Sequence, residues 1–156
     1  MRLLNQKKSL FELTCDKLKK TKDKYGVYVP WFIMTSPTND INTRAYFEAH
    51  NYFDYPREKI HFFKQNTINI LDINGKVMLD SIGTLKKDSN GNGDIFRAFI
   101  EAKYDSILDN LEWIEVTGVD NILLDVIDPI FIGLSKLNKL VYVDNCNAFS
   151  FKYSGI

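Results

Sequence analysis

Residues 31–34 form an uninterrupted apolar run, Trp31-Phe32-Ile33-Met34, which Thr35-Ser36-Pro37 closes. A strand with one face in solvent alternates apolar and polar residues, whereas a strand buried on both faces is apolar throughout. Strands of the second kind occur in parallel sheets whose faces are covered by helices. The run therefore predicts a buried strand in a layered α/β fold.

Helix and strand signals alternate along the rest of the chain. Ser9 and Glu12 have the spacing of a capping box, and apolar residues follow at helical spacing, which predicts a first helix. Further helices are expected over residues 42–50, over 95–103 and from Asp128-Pro129, and further strands over 60–63, 113–119 and 140–143, with another apolar stretch at 122–126. The residues after Asp144 show no clear pattern, so no element is assigned to them. This alternation indicates a mixed sheet flanked by helices.

A β-hairpin insertion is expected around Asn74-Gly75, which separates two largely apolar segments, 70–73 and 76–79. Asparagine and glycine both tolerate the positive φ that a type I′ turn requires at its two central positions. The pair therefore predicts a two-residue turn of that type.

The composition is that of an ordinary globular domain. The 156 residues suit one domain, and 20 Lys and Arg residues balance 20 Asp and Glu residues. This balance argues against a duplex-DNA-binding protein, which needs a basic surplus to displace counterions. Two cysteines, Cys15 and Cys146, do not make a disulfide framework, which favours a reducing, cytoplasmic setting. No apolar run approaches the ~20 residues of a membrane span.

The loop Gly91-Asn92-Gly93 precedes the helix expected over 95–103. Glycines allow the backbone to approach a ligand closely, and the free amides at a helix start suit an anion or the carbonyl of a base. The same loop is also typical of a tight turn in which Asn92 or Asp94 caps the helix. On spacing alone, a ligand-binding loop and a structural cap both stay open.

Two further segments follow predicted strands. Asp120 and Asn121 come after strand 113–119, at the edge where open α/β sheets bind ligands, and a carboxylate there can hold a divalent cation beside phosphates. The alternative is a structural Asx turn. Gln65 follows strand 60–63, and its amide offers a donor and an acceptor to a pyrimidine edge. The alternative for Gln65 is a solvated surface side chain.

Several segments occur in one order along the chain: Lys8-Ser9-Leu10-Phe11-Glu12-Leu13, Val29-Pro30-Trp31-Phe32-Ile33-Met34-Thr35-Ser36, Phe62-Phe63-Lys64-Gln65, Asn90-Gly91-Asn92-Gly93 with Phe96-Arg97-Ala98, Val119-Asp120-Asn121-Ile122-Leu123 and Asp128-Pro129-Ile130-Phe131-Ile132-Gly133. Together they resemble the eukaryotic-type UDP-N-acetylglucosamine (UDP-N-acetylhexosamine) pyrophosphorylases. The similarity covers residues 8–139, so it extends over nearly the whole chain.

The resemblance implies a Rossmann-like nucleotidyltransferase fold and the reaction of UTP with N-acetylglucosamine 1-phosphate, which gives UDP-N-acetylglucosamine and pyrophosphate. It implies that Gln65 and the backbone of Gly91 recognise uracil and that Asn92 contacts the sugar. It assigns Asp120 to the metal site, with Mg²⁺ or Mn²⁺, as the catalytic carboxylate, and it places Asn121 beside Asp120 among the substrate-binding residues. The implied partners are a uridine nucleotide and a sugar 1-phosphate, without nucleic acid or membrane.

The resemblance also implies a longer catalytic domain. In the family, a glycine-rich phosphate loop precedes the segment that resembles residues 8–13, and further segments follow the one that resembles 128–133. We therefore expect residues 1–156 to be one partial nucleotidyltransferase domain that is inactive by itself. An uncovered strand near residues 31–34 would then favour self-association or pairing with further polypeptide.

Two alternatives to this function stay open. The sequence Gly93-Asp94-Ile95 is closer to the matching sequence of UDP-glucose or broad-specificity UDP-sugar pyrophosphorylases. Those enzymes, however, commonly have histidine at the position of Asn92. The second alternative is a non-catalytic module that binds a uridine nucleotide or serves assembly. The most informative single experiment is a binding titration with UTP, UDP-glucose and UDP-N-acetylglucosamine.

Overall fold

The computed structural model describes residues 8–121, 123, 125–138, 142–143 and 149–152. Its helices are α1 (Leu10–Tyr25), α2 (Asp40–Ala49), α3 (Ile95–Glu101), α4 (Asp105–Leu108) and α5 (Pro129–Asn138). Its strands are β1 (Trp31–Thr35), β2 (Ile60–Lys64), β3 (Thr67–Asn69), β4 (Lys87–Ser89), β5 (Trp113–Val116), β6 (Tyr142–Val143) and β7 (Phe149–Lys152). Short 3₁₀ turns cover Asn51–Asp54, Arg57–Lys59 and Asn92–Asp94. None of the helices in this described part is long and apolar enough to cross a membrane.

The chain divides into two compact units. The first contains Met1–Pro30, Phe53–Lys59 and Asp105–Ile156, and the second contains Trp31–Tyr52 and Ile60–Tyr104. The single partial domain expected from the sequence stays a prediction.

Helix α1 of the first unit begins and ends at residues suited to those positions. The Ser9 hydroxyl accepts a hydrogen bond from the Glu12 amide at 3.2 Å, so the predicted N-cap is confirmed. Gly26, with a φ of 78°, adopts the left-handed conformation that ends many helices. Cys15 and Leu18 lie buried, as their helical spacing predicts.

An antiparallel sheet with the strand order β5-β7-β6 belongs to the same unit. Strand β5 ends at Val116 rather than at the predicted Val119, because the chain turns there: the Asn121 amide donates to the Gly118 carbonyl at 3.1 Å. Strand β7, in the C-terminal segment to which the sequence analysis assigned no element, lies in the middle of the sheet. The apolar stretch at 122–126 falls partly outside the described residues.

In the second unit, β1 and β2 are parallel neighbours, with Trp31 opposite Ile60. This pairing confirms the parallel strand expected from the apolar run. Helix α2 follows β1 and buries Phe47 completely. The Phe47 ring makes edge contacts with the rings of Trp31 and Phe62, at centroid distances of 5.8 and 5.1 Å. These aromatic contacts form the core that holds the two parallel strands in place.

A buried polar network connects α2 to the end of β1. The Asp40 carboxylate accepts hydrogen bonds from the Thr35 hydroxyl at 2.6 Å and from Arg44 Nε at 3.0 Å. Burial raises the pKa of Asp40, but these hydrogen bonds outweigh it and hold the pKa below its usual range. The ionised carboxylate therefore fixes Thr35, the last residue of β1.

Residues 66–90 form an exposed antiparallel arm, in which β3 pairs with β4 at the base. The predicted hairpin at Asn74-Gly75 is confirmed by an antiparallel bridge across it. The predicted type I′ turn is wrong, because Gly75 has a positive φ of 77° and Asn74 does not. Asp72 Oδ1 instead accepts from the Asn74 and Lys76 amides, each at 2.8 Å, and so closes a longer turn.

Candidate functional site

Gln65 and Gly91, which are 26 residues apart in the chain, meet at the carboxyl end of β2. The backbone amide of Gln65 extends the β1–β2 ladder, because it donates to the Thr35 carbonyl at 2.9 Å. The side-chain Oε1 of Gln65 accepts from the Gly91 amide at 2.8 Å. An N–H must face an oxygen, so this bond fixes the orientation of the side-chain amide. Two residues predicted to bind the substrate are thus brought together.

The backbone at Gly91 requires glycine. Its φ of 78° and ψ of −169° lie in a region that residues with a side chain hardly ever adopt. A Cβ placed on Gly91 would meet no atom within 4 Å, so the requirement comes from the backbone conformation and not from crowding. Gly93 differs, because its φ is not positive and a Cβ there also meets nothing within 4 Å.

A buried carboxylate joins the two segments that carry Gln65 and Gly91. Asp94 is only 2% exposed, and its Oδ2 accepts from the Asn66 amide at 2.6 Å while Oδ1 accepts from Asn90 Nδ2 at 3.0 Å. The backbone hydrogen bond from Asn66 is the main cause that holds the pKa of Asp94 below its usual range. Asp94 stands at the N-cap position of α3 but makes no capping hydrogen bond. The expected N-cap position of Asp94 is therefore confirmed, but its side chain bonds to Asn66 and Asn90 and does not cap the helix.

Asn66 is held on several sides. Its carbonyl accepts from the Asn90 amide at 3.0 Å, and its Nδ2 donates to Glu101 Oε2 at 2.8 Å. Arg97 Nε donates to the other oxygen of Glu101 at 3.0 Å. Residue spacing indicated none of these supporting contacts, although Asn90 and Asp94, a donor and an acceptor, are only four residues apart. Asn92, by contrast, is exposed on its 3₁₀ turn and accessible to a ligand.

Asp120 and Asn121 lie in the first unit, on the turn that follows β5. Gln65 and Gly91 lie in the second unit, so the predicted site residues are distributed over both. The Asp120 side chain is exposed, and its Oδ1 would lie 2.7 Å from a Cβ placed on Gly118. Because glycine has no side chain, the Asp120 carboxylate can occupy the space beside Gly118.

Asp120 offers one carboxylate to a cation. Within the part of the chain that the structure describes, no three His, Cys, Asp or Glu side chains form a metal-binding group. Mg²⁺ commonly binds one or two carboxylates together with substrate phosphates and waters, without a cage made only of protein ligands. The donor at Asp120 therefore fits a cation that is shared with a bound nucleotide.

Glu115, on β5, forms a hydrogen bond with the far end of the segment that follows β5 and contains Asp120. Its Oε2 accepts from the Ile127 amide at 3.2 Å, and Ile127 has a φ of 62°, which is strained for a β-branched residue. Burial raises the pKa of Glu115 to about 7, and the negative charge of Asp128 acts in the same direction. No sequence pattern indicated this contact.

We expect Glu115→Gln to raise the melting temperature at pH 8 and to change it little at pH 5. The pKa of about 7 in the folded chain lies above the ordinary 4.5, so ionisation of Glu115 destabilises the fold increasingly as the pH rises between these values. Glutamine keeps an oxygen for the Ile127 amide and removes the charge. Thermal melts at both pH values measure the effect, and Glu58→Gln, at an exposed position, controls for the loss of one carboxylate. An equal gain at pH 5 and pH 8 would contradict this account.

Sequence comparisons find related proteins over most of the chain. The family model described as UTP–glucose-1-phosphate uridylyltransferase matches residues 2–147. UDP-N-acetylglucosamine pyrophosphorylase of Saccharomyces cerevisiae is 38% identical over 139 residues, which cover 85% of this chain and 29% of the yeast protein. UDP-N-acetylglucosamine diphosphorylase 1 of Arabidopsis thaliana is 36% identical over 109 residues, which cover 69% of this chain and 22% of the plant protein.

A structural comparison agrees with the sequence comparisons. The crystal structure of the uridine diphosphate N-acetylglucosamine pyrophosphorylase from Trypanosoma brucei matches with a TM-score of 0.74 and 27% identity, over 88% of this chain and 30% of that one. The match confirms the nucleotidyltransferase-like α/β fold that the resemblance implied. The chain spans less than a third of the length of each of these relatives.

Proposed function

The chain belongs to the UTP–glucose-1-phosphate uridylyltransferase family, and we propose that it takes part in converting UTP and N-acetylglucosamine 1-phosphate to UDP-N-acetylglucosamine and pyrophosphate. The named relatives from yeast and Arabidopsis support this choice of product. Within the chain, the proposal depends most on one observation, the 2.8 Å hydrogen bond that brings Gln65 and Gly91 together at the end of β2.

The Gln65–Gly91 contact supports recognition of uracil. Uracil presents carbonyl oxygens and an N–H group along its pairing edge. Gln65 Nε2 can donate to a carbonyl oxygen, and Oε1 keeps a second lone pair for the N–H after it has accepted from Gly91 at 2.8 Å. Gly91 has no side chain, so a base can approach the backbone closely. A base with mismatched groups would leave buried polar atoms unsatisfied, at a cost of ~1–3 kcal/mol each.

The proposed chemistry needs no protein nucleophile. An oxygen of the sugar 1-phosphate attacks the α-phosphorus of UTP in line, the bond from that phosphorus to the bridging oxygen breaks, and pyrophosphate leaves. Transfers of this kind are accelerated by positioning of the reactants and by neutralisation of charge. In this proposal Gln65 and Gly91 hold the base, Asn92 contacts the sugar, and Asn121 contacts the substrate beside Asp120.

Asp120 is the residue that we propose to hold Mg²⁺ or Mn²⁺, which would supply charge neutralisation at the phosphates when bound. We expect Asp120→Asn to reduce the gain in UTP affinity that Mg²⁺ provides, toward no gain, because a neutral amide is a poor ligand for a hard cation. Calorimetric titration of UTP with and without Mg²⁺ measures this gain. Asp125→Asn, at an exposed position in the same connection, is the matched control. A Mg²⁺ effect that is unchanged in Asp120→Asn would refute the assignment.

The identity of the sugar is tested by nucleotide-sugar binding. The relatives favour UDP-N-acetylglucosamine, whereas the Gly93-Asp94-Ile95 step favours UDP-glucose as the alternative. We expect calorimetric titration of the 156-residue chain to show tighter binding of UDP-N-acetylglucosamine than of UDP-glucose. The reverse order would support the alternative, and no binding of UTP or of either UDP-sugar would contradict the proposed function.

A further inference from the structure

We propose that Asp94 is a positioning residue that sets the distance between Gln65 and Gly91. The expected ligand, a uridine nucleotide, rests on the proposed function. The contacts that carry the proposal involve no ligand. They join residues of the second unit of the chain to one another.

The partners of Asp94 are the sequence neighbours of the two recognition residues. Asn66 follows Gln65 directly, and Asn90 precedes Gly91 directly. One oxygen of the Asp94 carboxylate accepts from the Asn66 amide at 2.6 Å, and the other accepts from Asn90 Nδ2 at 3.0 Å. A single buried group thus spans both segments and fixes where each of them lies.

The same two segments are also connected by their backbones. The Asn90 amide donates to the Asn66 carbonyl at 3.0 Å, and the Gly91 amide donates to Gln65 Oε1 at 2.8 Å. The Gly91 carbonyl in turn accepts from the Asp94 amide at 3.2 Å. Displacement of Asp94 would therefore move Gly91 directly and would lengthen its contact with Gln65.

The two donors that face Asp94 explain why a carboxylate stands there. Each carboxylate oxygen is only an acceptor, which matches the amide of Asn66 on one side and the side-chain NH₂ of Asn90 on the other. An asparagine at position 94 has one acceptor oxygen and one NH₂ group. If the oxygen served Asn66, the NH₂ group would face Asn90, whose side-chain amide would then have to turn over and present its oxygen.

This complementarity suggests an exchange of donor and acceptor as the test. Asn90→Asp alone places two carboxylates opposite each other, which no rotation of either side chain relieves, and Asp94→Ala removes both acceptors. The double variant Asn90→Asp/Asp94→Asn restores one donor and one acceptor, and it keeps the net charge of the chain. We expect each single variant to bind UTP roughly tenfold more weakly, and the double variant to recover affinity to within about threefold of the unmodified chain.

Amide hydrogen exchange at Gly91 gives a second readout that needs no nucleotide. We expect faster exchange at this amide in Asn90→Asp, and a return to the rate of the unmodified chain in the double variant. Thermal melts of all variants show whether they remain folded.

The two readouts separate the positioning role from the proposed function. If the unmodified chain shows no preference for uridine nucleotides while exchange at Gly91 follows the expected pattern, the proposed function fails and the positioning role stands. If exchange at Gly91 is unchanged in both Asn90→Asp and Asp94→Ala, or if the double variant recovers neither exchange nor UTP binding, the positioning role is overturned.

Discussion

Gln65→Ala is expected to weaken UTP binding by roughly 10- to 100-fold and to leave the fold intact. The side chain is half-buried outside the aromatic core, and its Oε1 accepts from the Gly91 amide at 2.8 Å. Removal of the amide takes away the donor and the acceptor proposed for uracil and leaves the Gly91 N–H without this partner. Titration calorimetry of UTP on the unmodified and variant chains measures the loss.

The matched control for this substitution is Asn69→Ala, which removes an exposed amide from the arm of residues 66–90. We expect UTP affinity to be unchanged in the control. A clear UTP signal that Gln65→Ala does not weaken would show that the base is bound elsewhere. A melting temperature low enough to leave Gln65→Ala partly unfolded during the titration would show that Gln65 acts through stability.

Gly91→Ala is expected to abolish measurable UTP binding. The φ of 78° and ψ of −169° at this position are accessible almost only to glycine, so a Cβ costs about 1–3 kcal/mol of strain or forces the loop into another conformation. The open space around Gly91 does not reduce this cost, because the strain lies within the backbone. A changed loop moves the amide that contacts Gln65, and the site loses both recognition groups.

Gly93→Ala provides the control in the same loop. Gly93 does not have a positive φ, and a Cβ at this position meets no atom within 4 Å. We expect the control to bind UTP within about threefold of the unmodified chain, since none of the recognition contacts changes. Equal losses in Gly91→Ala and Gly93→Ala would mean that the loop needs flexibility in general, and that the backbone conformation at Gly91 has no special role.

Hydrophobic patterns predicted the parallel pair in the second unit well. The apolar run at residues 31–34 indicated a strand covered on both faces. Strand β1 does pair in parallel with β2, but only Ile33 and Thr35, which share one face, are buried, and the other face is half-buried. The expected helix over residues 42–50 exists as α2, which begins at Asp40. Burial determines these elements, and burial is what an apolar pattern records.

Local side-chain chemistry explains where the sequence predictions were wrong. The Asp72 carboxylate binds two amides of the hairpin loop and selects a longer turn than the type I′ turn expected at Asn74-Gly75. Strand β7 was missed, although Phe149–Lys152 alternates apolar and polar residues as a half-buried strand does, because this alternation is only four residues long. Hydrogen bonds between segments far apart in sequence leave little trace in residue spacing.

The candidate site was predicted only in part for the same reason. Residue spacing did not indicate that Gln65 and the Gly91 loop belong to one site. Only the family resemblance assigned both of them to recognition of uracil. The structure adds the direct contact between them and the buried Asp94 that connects their neighbours. The roles of Asn92, Asp120 and Asn121 stay predictions that rest on the resemblance.

The preference of the chain for UTP over ATP is the most direct test of the central claim, which is that Gln65 and Gly91 form a uracil-recognition site. Calorimetric titrations of the unmodified 156-residue chain with both nucleotides, at the same Mg²⁺ concentration, measure this preference. We predict that UTP binds at least tenfold more tightly than ATP, because the mismatched base leaves polar groups unsatisfied. Equal affinity for UTP and ATP would contradict the account.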